Sequence, residues 1–198
     1  ERASHITIET LKEIVAEEAG EGGMNPAKLT TAVHEANRRV RAAAQQDSRL
    51  EGMGTTLVAA VEAGPRLLLA SVGDSRIYCF RNGALAQLSE DQSWVNDVGR
   101  KLGLSDENLR VHPMRHVLTM AIGVSPQLKV NSYEHALAPG ELLLLCSDGL
   151  HGVVTDGEIA QILNSGGPLE RRTRLLIDTA RAHGAPDNVT AVLVTPAL

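Results

Sequence analysis

The spacing of the apolar residues changes at Gly52, and few folds accommodate such a change. Upstream, the spacing is helical. Ile8, Leu11, Val15 and Ala19 form one stripe, stopped by Gly20, Gly22 and Gly23, and Leu29, Val33, Ala36 and Val40 form a second. Asn25 followed by Pro26 offers an N-cap and a first helical residue, so the second helix should run to about Asp47. His34 lies beside this stripe with no second ligand at helical spacing, and reads as a packed or solvent-facing residue rather than a metal ligand. Downstream of Gly52 the chain breaks into short β-branched or Leu-rich runs at residues 55–61, 67–72 and 76–80, separated by Gly64-Pro65 and Gly73-Asp74. Asn82-Gly83 is a strong hairpin signal, which makes residues 84–88 a returning strand and the whole region an antiparallel meander.

Residues 93–117 are polar and helical in patches, with His112-Pro113 as a break, and read as a surface flap inserted between strands. Strand signals resume at residues 129–137. Pro139-Gly140 then turns the chain into residues 141–147, apolar enough to be buried on both faces. Thr155 and Glu158 form a capping box ahead of Ile159, Ile162 and Leu163, and Pro168 opens a helix with Leu169, Leu176 and Ala180 inward. Residues 188–195 close the chain as a strand. Because helices and strands come in blocks rather than in alternation, the class is α+β with antiparallel sheets, not a parallel doubly wound sheet.

Composition narrows the function. The net charge is −5 and there is no basic run, which excludes the usual electrostatic attraction for nucleic acid or an anionic membrane surface. Trp94, Tyr78, Tyr133 and Phe80 are the only aromatics, so stacking on bases is not the main business. Cys79 and Cys146 form no Cys-x-x-Cys pair and sit in apolar runs, as expected of buried thiols in a reducing compartment. No apolar stretch is long enough to span a bilayer. A soluble cytoplasmic domain is the expectation, and Glu1 in place of Met suggests a processed product or a fragment.

Three aspartates adjoin strand ends. Asp74 lies in Val72-Gly73-Asp74-Ser75-Arg76, Asp148 in Cys146-Ser147-Asp148-Gly149-Leu150, and Asp187 in Ala185-Pro186-Asp187-Asn188-Val189. Singly, each is ordinary turn chemistry. Together, carboxylates from several strand ends can converge on one sheet rim, where their repulsion, on the order of several kcal/mol, calls for a cation. Oxygen-only ligands favour Mg²⁺ or Mn²⁺ over Zn²⁺, and such ions suit in-line displacement at phosphorus. Rival motifs are missing: there is no Gly-x-Ser-x-Gly elbow, no phosphate-binding Gly-Lys-Ser/Thr loop and no His-Glu-x-x-His helix. His112 and His116 have helical ligand spacing, but Pro113 between them spoils it.

These motifs, in this order, resemble the PPM (PP2C-like) metal-dependent protein serine/threonine phosphatases of bacterial type, over nearly the whole chain. Gly54-Thr55-Thr56, Val72 to Arg76, Leu88 to Ser93, Leu118 to Gly123, Ser147 to Leu150 and Asp187-Asn188 carry the resemblance. It implies one domain over residues 1–198, with two antiparallel β-sheets sandwiched between pairs of antiparallel helices and a flap at about residues 93–117. It also implies hydrolysis of phosphoserine and phosphothreonine by metal-activated water at a dinuclear Mn²⁺ or Mg²⁺ centre, with a third ion in some complete domains. Asp148 and Asp187 correspond to ligands of one ion of the pair, and Asp74 to a ligand, shared with Asp148, of a further and weaker site. Ser147, Gly149 and Asn188 aim these carboxylates. The implied partners are phosphorylated Ser/Thr proteins and an opposing Ser/Thr kinase.

The resemblance also implies a glycine-rich metal motif before Glu1, with a bridging aspartate and a phosphate-binding arginine, so catalytic residues beyond the metal ligands are expected upstream and these 198 residues alone should be weakly active. Gln92 stands where the bacterial pattern usually has His, and Met120 where it usually has Arg. The alternative is a catalytically incomplete pseudophosphatase or regulatory binding module. An upstream in-frame Asp-Gly-x-Gly-Gly would favour the enzyme; partner capture that survives Asp148→Asn would favour the module. Another oxygen-ligand metallohydrolase is the remaining reading.

Overall fold

The structure, a computed structural model, describes residues 1–18 and 23–195. Ala19, Gly20 and Gly22, expected to end the first stripe, lie outside the described residues. The chain forms two compact units, Glu1–Asp74 with Asp91–His135 and Ser75–Glu90 with Ala136–Leu198, and each holds one antiparallel sheet. Two antiparallel sheets with helices are the α+β class read from the sequence.

In the first unit, α1 (Arg2–Glu18) and α2 (Pro26–Gln46) run antiparallel. Ion pairs Lys28–Glu18 and Arg39–Glu13 tie the start of α2 to the end of α1 and the body of α2 back along it. The Asn25 side chain accepts from the Lys28 N–H, with Pro26 in the first turn. The α2 stripe Leu29, Val33, Ala36 and Val40 is fully buried. The α1 stripe is turned from the expected phase: Ala3, Thr7, Thr10 and Leu11 are buried, and Ile8 is 44 % exposed. Threonine escapes an apolar-pattern reading, yet here each hydroxyl donates to the carbonyl four residues back, Thr7 to Ala3 and Thr10 to Ile6, so both bury without an unmet polar group.

This core continues onto the sheet β1 (Leu57–Ala63), β2 (Arg66–Val72) and β5 (Asn131–His135), in the order β1-β2-β5. Leu57, Leu68, Ala70 and Val72 share one face and pack into the same cluster as α1 and α2. Residues 93–117 form a π-helical turn (Val95–Gly99) and a short helix α3 (Asp106–Val111), which stops at His112-Pro113 as expected. The neck of this insertion is closed by a Ser93–Leu118 bridge and the Trp94 N–H to Val117 carbonyl bond of 2.8 Å. Inside it, the Trp94 and His112 rings stack at 4.2 Å.

The second unit holds β3 (Arg76–Arg81), β4 (Ala84–Gln87), β6 (Leu142–Cys146) and β7 (Ala191–Val194), in the order β4-β3-β6-β7, with helices α4 (Asp148–His151), α5 (Asp156–Asn164) and α6 (Leu169–Ala182). Asn82 and Gly83 both have positive φ, 51° and 81°, the geometry of a tight hairpin between β3 and β4. All five β6 residues are buried, and the Thr155–Glu158 capping box opens α5 with both of its bonds made. Tyr78, Leu144, Leu150, Ile159, Leu163 and Leu176 are the bulk of this core.

The expected single meander is corrected. β2 pairs with β1 and β5, and β3 pairs with β4 and β6, so the strands flanking Gly73-Asp74 belong to different sheets. The turn is built on Gly73 at φ +93°, where the chain leaves one sheet for the other instead of folding back on itself. The last strand is also shorter than expected, because residues 188–190 are occupied by Ser147 before the ladder begins at Ala191.

Candidate metal centre

In the second unit the two late aspartate motifs are adjoining turns. β6 delivers Ser147 to the N-cap of α4, and Asp148 is the first residue of that short helix. The Ser147 hydroxyl donates to the Asn188 carbonyl at 3.2 Å and accepts from the Thr190 N–H at 3.1 Å. The Ser147 N–H donates to the Thr190 carbonyl at 3.1 Å. Gly149 makes the approach closer still: a Cβ there would lie 2.2 Å from the Asn188 carbonyl oxygen, so glycine alone fits. Asp187 begins the facing turn, and one of its carboxylate oxygens accepts from the Asn188 N–H at 2.6 Å. Asp148 and Asp187 are both exposed. Ala185, two residues before Asp187, has φ +28°, a conformation disfavoured for a residue with a side chain.

Two exposed carboxylates stand on turns locked to each other by hydrogen bonds and one close backbone contact. Carboxylate oxygens open to water are the donors that a hard divalent ion such as Mn²⁺ or Mg²⁺ prefers. Ser147, Gly149 and Asn188, expected to aim the carboxylates, are the residues that join the two turns.

Asp74 closes the first unit, two residues before β3. Its turn is set by contacts within the first unit. Gly73 sits over Thr56, and a Cβ at Gly73 would lie 2.5 Å from Thr56 Cγ2. Thr55 forms an antiparallel bridge to Ile122, and Gly54 leaves room for Val124 and the Ile122 carbonyl. Asn37 of α2 accepts from the Gly123 N–H at 2.7 Å and donates to the Ser125 carbonyl at 3.1 Å. The Gly54-Thr55-Thr56 and Leu118 to Gly123 motifs, far apart in the chain, are therefore neighbours. Between them opens a cleft of about 540 Å³, lined by Thr55, Thr56, His116, Thr119 and Met120 among others. Met120 packs against the core of this unit, as an apolar side chain can and an arginine head group cannot without exposure.

Gln92, which the sequence marks only as a departure, is 4 % exposed, and both ends of its carboxamide are hydrogen-bonded. Its side-chain oxygen accepts from the Gly73 N–H at 2.9 Å, and its amide nitrogen donates to the Lys129 carbonyl at 2.8 Å. Its partners lie 19 and 37 residues away, beyond the reach of any local sequence signal.

A profile of the protein phosphatase 2C family matches residues 1–193. A serine/threonine phosphatase (stp) of Listeria innocua is 37 % identical over 166 residues, 84 % of this chain and 66 % of that protein. The serine/threonine protein phosphatase PstP of Mycobacterium tuberculosis is 37 % identical over 196 residues, 98 % of this chain but 37 % of its own length. The chain thus spans just under two thirds of the one relative and little more than a third of the other. The crystal structure of the M. tuberculosis enzyme superposes with a TM-score of 0.86 at 34 % identity, covering 96 % of this chain and 80 % of that one. A structure of the PstP catalytic domain in complex with two manganese ions gives a TM-score of 0.84 at 33 % identity, covering 96 % and 79 %.

Proposed function

Since this chain belongs to the protein phosphatase 2C family, we propose that its gene product is a metal-dependent phosphatase of phosphoserine and phosphothreonine proteins. The observation that carries this reading is the interlock of the two late acidic turns, Ser147 against Asn188 and Thr190, with Gly149 against the Asn188 carbonyl. That interlock holds Asp148 and Asp187 on neighbouring backbone, the arrangement a shared hard cation requires. Asp148 and Asp187 hold one Mn²⁺ or Mg²⁺ ion of a catalytic pair, by analogy with the two manganese ions of the PstP catalytic domain. Asp74 is a ligand of a further, weaker ion site. An ion so held lowers the pKa of water and neutralises charge developing on a phosphoryl oxygen.

Ser147 and Asn188 hold the backbone of the two turns in place, and Gly149 admits their close approach. The flap, with its neck closed at Ser93 and Leu118, borders the route of a protein substrate. The substrates are products of a serine/threonine protein kinase, and Cys79 and Cys146, neither of them in a disulfide, agree with a cytoplasmic setting. Among the described residues no helix is long and apolar enough to cross a membrane.

The test is hydrolysis of an aryl phosphate and of a phosphothreonine peptide by the full gene product in Mn²⁺, before and after chelation. Turnover that needs Mn²⁺ and is lost in Asp148→Asn is the expected result. A folded full-length protein with no Mn²⁺-dependent turnover on either substrate would reject the reading.

A further inference from the structure

The buried carboxamide of Gln92 occupies a position that neither the family resemblance nor the metal-ligand assignment accounts for. All four of its polar groups are engaged, and two of them bracket one residue. Its side-chain oxygen accepts from the Gly73 N–H at 2.9 Å, while its backbone N–H donates to the Gly73 carbonyl at 2.9 Å. Its side-chain nitrogen donates to the Lys129 carbonyl at 2.8 Å, two residues before β5. Its backbone carbonyl accepts from the Thr119 N–H at 3.0 Å. Gly73 is thus bonded through both its donor and its acceptor to one side chain and its own backbone, and it is the residue at φ +93° that sets the direction of Asp74.

We propose that Gln92 is a positioning residue for the Asp74 carboxylate, acting through a clamp on Gly73 that fixes this turn against the Thr119 and Lys129 segments. The requirement is chemical. The clamp needs one acceptor and one donor on a single short, planar side chain, with both buried. A hydrocarbon of similar size would leave the buried Gly73 N–H without this acceptor and would remove the bond to the part-buried Lys129 carbonyl. The Gly73 turn would then lose this side-chain restraint and keep its backbone bond to residue 92 and its contact with Thr56. The proposal rests on the reading of Asp74 as a metal ligand, and it assigns Gln92 no contact with an ion or a substrate.

The test is a Mn²⁺ titration followed by electron paramagnetic resonance, on the wild-type chain, Asp74→Asn and Gln92→Leu, with amide hydrogen exchange of Gly73 measured alongside. Asp74→Asn defines the class of bound Mn²⁺ that depends on this carboxylate. Gln92→Leu should weaken that same class by about tenfold, the scale expected when an outer support of a ligand is removed, and leave the remaining Mn²⁺ unchanged. The Gly73 amide should exchange at least about tenfold faster while amides in the middle of β2 keep their protection. Should the leucine variant fail to fold, Gln92→Met, unbranched like the native side chain, replaces it. Faster Gly73 exchange with unaltered Mn²⁺ affinity, in a protein where Asp74→Asn does weaken binding, overturns the positioning role and leaves the metal reading intact. If Asp74→Asn itself leaves Mn²⁺ binding unchanged, the ligand assignment falls, and the role of Gln92 falls with it.

Discussion

At the Asp148 turn the glycine is pressed against the backbone of the facing segment, whereas at the Asp74 turn the glycine is pressed against a side chain. Gly149 lies so close to the Asn188 carbonyl that no side chain can intervene, and Ser147 bonds the two segments directly. Gly73 is enclosed by side-chain atoms of Thr56 and held by the carboxamide of Gln92, side chains rather than a facing carbonyl. The first arrangement leaves little freedom and suits a site that must hold its carboxylates in place before an ion arrives. The second is softer, and suits the weaker ion site proposed for Asp74.

Alanine at each glycine turns this contrast into numbers. Gly149→Ala should be the most damaging change. Its Cβ would meet a carbonyl oxygen at 2.2 Å and the carbonyl carbon at 2.8 Å, and neither can swing aside, so the two turns must separate. A loss of about 3 kcal/mol is expected, read as a fall in Tm of roughly 6–12 °C. Gly73→Ala combines the strain of φ +93° with contacts to Thr56 Cγ2 at 2.5 Å and Cβ at 2.9 Å, of which side-chain rotation relieves only the first, and should cost about 2 kcal/mol. Equal losses at the two positions, or a larger one at Gly73, would break the comparison.

Ser147→Ala comes next. It deletes the bond to the Asn188 carbonyl and leaves the Thr190 N–H short of a partner, for about 1 kcal/mol by thermal unfolding. Its effect on Mn²⁺ affinity should exceed its effect on stability, since the deleted bonds join the two ligand turns. The smallest effect is a gain. Ala185→Gly relieves the positive φ beside Asp187 and should stabilise the protein by about 0.5 kcal/mol, the relief outweighing the extra chain entropy of glycine.

Much of this architecture is written in local signals. The Asn25-Pro26 start of α2, the Asn82-Gly83 hairpin, the Thr155–Glu158 capping box and the uniformly apolar run of β6 each depend on residues within one turn of one another, and each stands in the structure as read. What escaped depends on distant partners or, in α1, on polar side chains that bury themselves. Nothing near Gly73 reports that β2 joins β5 while β3 joins β6, because the choice between sheets is made by segments far along the chain. The phase of α1 was misjudged because Thr7 and Thr10 look polar in sequence, although their hydroxyls are satisfied by their own helix. The three aspartates stand out as candidate ligands from the turns that hold them, and Ser147 and Gly149 show two of those turns adjoining. The role of Gln92 was not legible, since a glutamine shows its value only when both of its partners are in place.

The most direct measurement is anomalous diffraction from crystals of the protein grown in Mn²⁺. A peak bonded to carboxylate oxygens of both Asp148 and Asp187, and lost in Asp187→Asn, is the predicted result. Manganese found only elsewhere, with these two carboxylates carrying no ion, would contradict the account.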